Sequence, residues 1–310
     1  MKFIIDTDPG TDDAVAILIA LAHFNDEELL ALTTVAGNVT VDVGTRNALR
    51  ILEHSKRNNI PVYKGEAVPL NRELLTAEWV HGTDGLNGVG FPEPSKTEEP
   101  LGAVDYITQL LQKSEEKITI CVLGPMTNIG KVLDSNPELA KNIEQIIFMG
   151  GGAGFGNHTP VAEFNILVDP EAAKIVLNSG VKLVMMGLDV THQAISTKER
   201  LSKILDSGTL TGEHFVALMG SLADLEIVKE KFPDGTPVHD AFVTAYLVDS
   251  SLTTGELTNV EVEVDSELTL GQTVVDTNQI SGRRKNVYWM NKVDDEKLFN
   301  IITNTSSLLP

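Results

Sequence analysis

Short β-rich runs alternate along this chain with longer helical patterns, and that alternation limits the fold more than any other feature. The β-rich runs are Phe3–Ile5, Leu30–Val35, Ile118–Leu123, Gln145–Met149 and Lys182–Gly187. The stretches Asp13–His23, Val43–His54, Leu101–Gln112 and Pro170–Asn178 carry helical patterns. Strands separated by helices pair in parallel, because each crossover returns the chain to the same end of the sheet. A parallel sheet must be covered on both faces, so an α/β fold follows: an open, mostly parallel sheet with helices on both sides. In such sheets ligands gather outside the carboxyl ends of the strands.

The rest of the chain elaborates this plan. Residues 197–231 read as largely helical and Asn259–Leu270 as one or two strands, which adds a helical and β-hairpin lobe near the C-terminal third. Pro92–Pro100, with three prolines and three glutamates, reads as a surface loop and not a linker, because the alternation resumes after it. The expectation is a single Rossmann-like domain over residues 1–310. With 24 basic and 44 acidic side chains the formal charge is −20. A surface so negative repels phosphate polymers and anionic lipid, which argues against nucleic-acid and membrane partners and favours a small neutral substrate. No apolar stretch approaches a bilayer span and the N-terminus is too short for a signal core, so a cytoplasmic location is the default. The single cysteine, Cys121, lies in the apolar run ITICVLG and reads as a core thiol.

One segment carries chemistry. In Phe3-Ile4-Ile5-Asp6-Thr7-Asp8-Pro9-Gly10-Thr11-Asp12-Asp13, four carboxylates fall within eight residues, across a Pro-Gly turn between a strand and an apolar helix. Capping of the helix N-terminus accounts for one or two of them. It does not account for four, because like charges this close raise one another's pKa unless a cation neutralises them. A hard divalent ion with oxygen ligands is the remedy the pattern calls for.

DTDPGTDDAVAI resembles the N-terminal signature of the inosine-uridine preferring nucleoside hydrolase family. Further segments match in order: TTVAGN at 33–38, HGTDGL at 81–86, LGPMTN at 123–128, MGGG at 149–152, VAEFNI at 161–166, DPEAA at 169–173 and VHD at 238–240. The resemblance covers nearly the whole chain. It implies an enzyme that cuts the N-glycosidic bond of ribonucleosides with water, yielding ribose and free base in nucleoside salvage. It also implies Ca²⁺ held by Asp8, Asp13, the main-chain carbonyl of Leu123 and Asp240, with Asp8 doubling as the base that activates the attacking water. Four oxygen ligands leave positions of a roughly 6–8-coordinate ion open for water and a diol. A homotetramer or homodimer is the expected assembly.

By the same resemblance Asp12, Asn38, Asn157, Glu163 and Asn165 form the ribose-binding set, and negative charge there favours an oxocarbenium-like transition state. Alternatives stand beside these roles: Asn38 as a turn residue, and Asn157 in a flexible glycine-rich loop, GGGAGFGN. Glu163 and Asn165 flank Phe164, and an extended segment would set both polar groups on one side and the ring on the other. Met149 belongs either under the sugar or in the core. For the base, His81 and His239 are the candidates, with Phe164 as a stacking surface. In Val238-His239-Asp240 adjacent side chains project differently, so Asp240 can face the metal while His239 serves the leaving base. His23, His54 and His214 read as helix-surface residues. The chain departs from the family just before VHD: residues 213–238 contain no tyrosine, and Phe215 and Phe232 are their only aromatics. Trp79 is either a substitute ring or a core residue.

Two other readings start from the same residues. Asp6-Thr7-Asp8 after a strand is similar to the nucleophile loop of haloacid-dehalogenase-like phosphatases, which expects Asp-x-Asp-Gly-Thr; here Pro9 intervenes. A non-catalytic nucleoside- or calcium-binding protein on the same scaffold would not need Asp8, Asp13, Asp240 and His239 together.

Overall fold

The computed structural model describes residues 1–224 and 226–310. Its first strand, β1 (Phe3–Thr7), is buried throughout and alternates between two cores. Phe3 and Ile5 enter one apolar cluster and Ile4 the other, on the opposite face. The strands β2 (Leu29–Thr34), β3 (Val62–Lys64), β4 (Ile118–Val122), β5 (Ile143–Met149) and β6 (Leu183–Met186) run parallel to it in the order β3-β2-β1-β4-β5-β6. Val287–Val293 pairs in parallel with β6, and Thr253–Thr258 closes that edge antiparallel, so eight strands form one sheet among the described residues. The sheet and its helix-covered faces agree with the expectation from the alternation. Three strands escaped it: β3, only three residues long, and the two at the far edge, which lie outside the strand–helix–strand alternation.

The order of strands reverses between β1 and β4. Their carboxyl ends, Asp6–Thr7 and Val122–Leu123, therefore flank the crevice where the connections leave in opposite directions, the usual ligand position in such sheets. Helix α1 (Thr11–His23) starts directly after β1. Its residues Ala14–Leu21 are all buried, because helix Ala241–Val248 packs along it. That packing brings Asp240, the residue just before the second helix, to the acidic turn that starts the first.

The C-terminal third holds the expected lobe. Helices Lys198–Leu205, Leu210–Ser221 and Glu226–Lys231 lie between the two strands of an antiparallel pair, Ile195–Thr197 with Gly235–Pro237. A second antiparallel pair joins Val260–Val262 to Thr273–Val275.

Three histidines differ from the sequence expectation. His54, on α2 (Val41–Ser55), and His214 are buried, with ring centroids 4.7 Å apart, and His54 Nε2 lies 2.7 Å from Thr211 Oγ1. His23 is partly buried against Thr305. His54 meets helix Leu210–Ser221, which carries His214, and His23 meets helix Asp295–Leu308, contacts between distant segments that a single-helix pattern does not reveal. Burial pushes His54 down to about 4, so it packs as a neutral ring. Cys121 is buried as expected, and burial pushes its thiol up. No helix among the described residues is long and apolar enough to cross a membrane.

Candidate active site

The acidic turn is shaped around Asp8 and Asp13. Asp13 Oδ1 accepts from the Thr7 hydroxyl at 2.5 Å, and its Oδ2 accepts from Gly10 N at 3.0 Å and from Asn38 Nδ2 at 3.0 Å. Asp8 Oδ2 accepts from Asn38 N at 2.6 Å, whereas its Oδ1 is buried without any hydrogen-bond partner. Asn38 is thus both a turn residue and a clamp across two carboxylates. The Asp8 carboxylate lies against Gly37 and Gly124, at either of which a Cβ would overlap its oxygens. Only glycine leaves room there.

Asp12, Asp13 and Asp240 present carboxylate oxygens that all lie within 4.8 Å of one another. Burial, with mutual repulsion, drives Asp8 and Asp240 well above the usual carboxylate range. Burial raises Asp12 and Asp13 too. An unpartnered buried oxygen costs free energy unless something not made of protein completes it. Asp8 Oδ1 and Asp12 Oδ1 are both in that state. An all-oxygen set of clustered, buried carboxylates fits a hard divalent cation.

The end of β4 and the end of β5 are tied by one amide. Asn165 Nδ2 donates to the Leu123 carbonyl at 2.6 Å and lies 3.3 Å from that of Met149. Asn165 is not on an extended segment, as its alternating neighbours implied, but in a short helix, Phe164–Val168. Glu163 creates that helix by capping it: its carboxylate accepts from Asn165 N, Ile166 N and Gly151 N at 2.9, 3.2 and 2.9 Å. Burial still raises Glu163 to about 7. The glycine-rich stretch is pinned as well. Gly151 N is held by Glu163, Gly152 by Thr273, Ala153 N by Asp189, and Asn157 Oδ1 accepts from Phe164 N at 2.9 Å. The stretch is hydrogen-bonded along its length and contributes Gly156 and Asn157 to the cavity wall.

These groups open onto one cavity of about 280 Å³. Asp12, Asn38, Leu123, Glu163, Asn165 and Asp240 line it, as do Met149, Asn157, Phe164, His81 and His239. Asp8 and Asp13 are fully buried beside it. Phe164 is buried with Ala77 and Val168, and Met149 reaches both the apolar core and the cavity. Trp79 lines the cavity with 58% of its surface exposed, which overturns a core role.

The two histidines are held differently. His81 Nδ1 accepts from Thr11 N at 3.2 Å, and a backbone N–H only donates, so the ring proton sits on Nε2. Burial lowers His81 to about 4, which keeps it neutral. His239 Nδ1 lies 2.9 Å from Thr191 Oγ1, leaving Nε2 for the cavity. Burial lowers its pKa, opposed most strongly by the Asp12 charge.

Three residues at this end were absent from the sequence reading: Thr191, His192 and Lys231 line or support it. His192 packs on Phe232, Phe155 and His239 with ring centroids 4.9, 5.4 and 5.7 Å apart. Thr191 and His192 follow the end of β6, so the strand-end rule, applied to that strand too, points at them. No such signal marks Lys231.

The comparisons with known proteins agree with this geometry. The model of the inosine-uridine preferring nucleoside hydrolase family matches residues 3–300. The chain belongs to that family. It is a nucleoside hydrolase, an N-glycosyl hydrolase acting on ribonucleosides. A pyrimidine-specific ribonucleoside hydrolase, RihA, of Shewanella baltica is 44% identical over 287 residues, covering 91% of this chain and 89% of the relative. Among solved structures, a purine-preferring ribonucleoside hydrolase from Gardnerella vaginalis superposes with a TM-score of 0.89 at 30% identity, over 99% of both chains. A plant nucleoside hydrolase gives 0.90 at 33%, covering 99% of this hydrolase and 98% of the plant chain.

Proposed function

We propose that this hydrolase is a calcium-dependent enzyme of nucleoside salvage, a single catalytic domain over residues 1–310 that works in the cytoplasm as a homotetramer or homodimer. The observation that carries the reading is one cavity lined by both carboxylates and imidazoles, Asp12, Glu163 and Asp240 with His81 and His239. Asp8, Asp13, Asp240 and the Leu123 carbonyl would hold Ca²⁺, and the unpartnered Asp8 Oδ1 supports that choice. When bound, the ion supplies the positive charge that keeps these carboxylates ionised and acidifies water at this end.

The chain's own groups then divide the work. Asp12, Asn38, Asn157, Glu163 and Asn165 bind the ribose hydroxyls, and Met149 packs beneath the ring. The carboxylates of Asp12 and Glu163 favour the oxocarbenium-like sugar. Asp8 takes a proton from the water whose oxygen bonds to C1′. As the C1′–N bond breaks, its electron pair passes to the base, and His239 protonates the base from Nε2. Phe164 stacks against the base. His81, whose Nδ1 accepts from Thr11 N, offers Nε2 to the base as a hydrogen-bond donor.

Incubation with inosine and uridine, followed by assays for free base and reducing sugar, tests the activity. Binding without product would favour the non-catalytic alternative, and phosphate release from phosphomonoesters the phosphatase. The role of His239 has its own test. A group that acts on departure matters in proportion to how poorly the base leaves. His239→Ala is expected to slow inosine or uridine by roughly 10²-fold or more and p-nitrophenyl riboside much less, with calcium affinity nearly unchanged. Equal losses on both substrates, or loss of calcium, would make His239 a positional residue.

A further inference from the structure

The ring-lined end of the cavity contains a cation whose task the ribose and metal roles leave open. Lys231, the last residue of helix Glu226–Lys231, lines the cavity with its ammonium 5.5 Å from the ring centroid of Phe155 and 5.6 Å from that of Phe232. Those are two of the rings that pack on His192, and His192 packs in turn on His239. The ammonium is therefore set in the same wall as the imidazole that faces the leaving group. Burial and the neighbouring positive charge, Lys231 included, push His192 toward its neutral form. The cavity lining holds three carboxylates, Asp12, Glu163 and Asp240, and Lys231 is its one lysine or arginine among the described residues.

We propose that Lys231 selects the base: its ammonium binds a ring carbonyl oxygen of an oxo-base and stabilises the negative charge that base acquires as it leaves. This rests on the ribonucleoside hydrolase reading above. The electron pair of the breaking C1′–N bond enters the base π-system and, in xanthine, hypoxanthine or uracil, reaches the oxygen at position 6 or 4. Lys231 donates a hydrogen bond to that oxygen and keeps its own proton, while the proton on the departing nitrogen comes from His239. In adenine and cytosine an amino group stands at that position, and an ammonium has only donors to offer it. Charge-assisted hydrogen bonds are about twice as strong as neutral ones, so the preference grows with the negative charge on the oxygen. Xanthosine, whose base is partly ionised near neutral pH, stands at the top of the series, with inosine and uridine next and adenosine and cytidine last.

The test compares the wild type with Lys231→Met and Lys231→Arg on xanthosine, inosine, adenosine, uridine and cytidine. Methionine keeps an unbranched apolar stem over Phe155 and Phe232 and removes only the charge. In Lys231→Met the kcat/KM ratio of inosine to adenosine, or of uridine to cytidine, is expected to fall by about 10-fold or more, with xanthosine losing most. Lys231→Arg should hold those ratios within about 3-fold, since it retains a cationic donor. Equal losses across the series in Lys231→Met, or unchanged ratios, would overturn the assignment while leaving the hydrolase reading intact. A wild type that releases base from none of these nucleosides would overturn both.

Discussion

Asp8→Ala is expected to lower kcat on inosine or uridine by more than the roughly 10²–10⁴-fold that loss of a general base alone produces. The excess follows from geometry. One carboxylate oxygen is bound to Asn38 N and the other is buried with no partner, in a slot walled by Gly37 and Gly124. Asp13 does not take its place, because its carboxylate is already held by Thr7, Gly10 and Asn38. The alanine variant therefore loses a base and a cation ligand together. Single-turnover kinetics with product quantified by base release would measure this, and a kcat near that of the wild type would show that another carboxylate is the base.

Removal of the cation has the other large effect. Extensive chelation is expected to abolish hydrolysis and calcium add-back to restore it; full activity in a metal-analysed, chelated sample would sink the calcium assignment. A stability measurement follows from the same carboxylates. Asp8, Asp12, Asp13 and Asp240 are raised in the folded chain, chiefly by burial, and Glu163 is raised to about 7. Folding without a cation thus takes up protons that the unfolded chain releases near its ordinary carboxylate pKa of about 4. The chelated protein should lose stability as pH rises from about 4 through 7. A bound cation keeps the same groups ionised in the folded state and removes that dependence. The gap in Tm between calcium-loaded and chelated samples should widen with pH across this window. A constant gap would mean that the ion sits elsewhere.

Much of the site was legible because its groups lie in short segments with local signatures. Asp8, Asp12 and Asp13 occupy one strand–turn–helix, and His239 and Asp240 are neighbours in sequence. What sequence reading misplaced depends on contacts between distant segments. VAEFNI alternates like a strand, yet Glu163 caps a five-residue helix through backbone groups at 151, 165 and 166, and so short a helix carries no periodicity. His54 and His214 sit 160 residues apart in sequence and bury each other only when their helices meet. Lys231 ends a short helix in a polar run, where nothing marks one lysine from its neighbours.

The site is assembled from two different parts of the fold. Its acidic end is built where β1, β4 and β5 terminate, on strands buried in the middle of the sheet. The ring-lined end draws Trp79, Lys231 and Phe232 from connections outside that sheet. A substitution in the first set disturbs the scaffold and the chemistry at once. One in the second set alters only what the mouth accepts, so leaving-group range can drift over generations while bond cleavage is inherited unchanged. Relatives named for pyrimidines and for purines, on one shared scaffold, are what such a division of labour would leave behind.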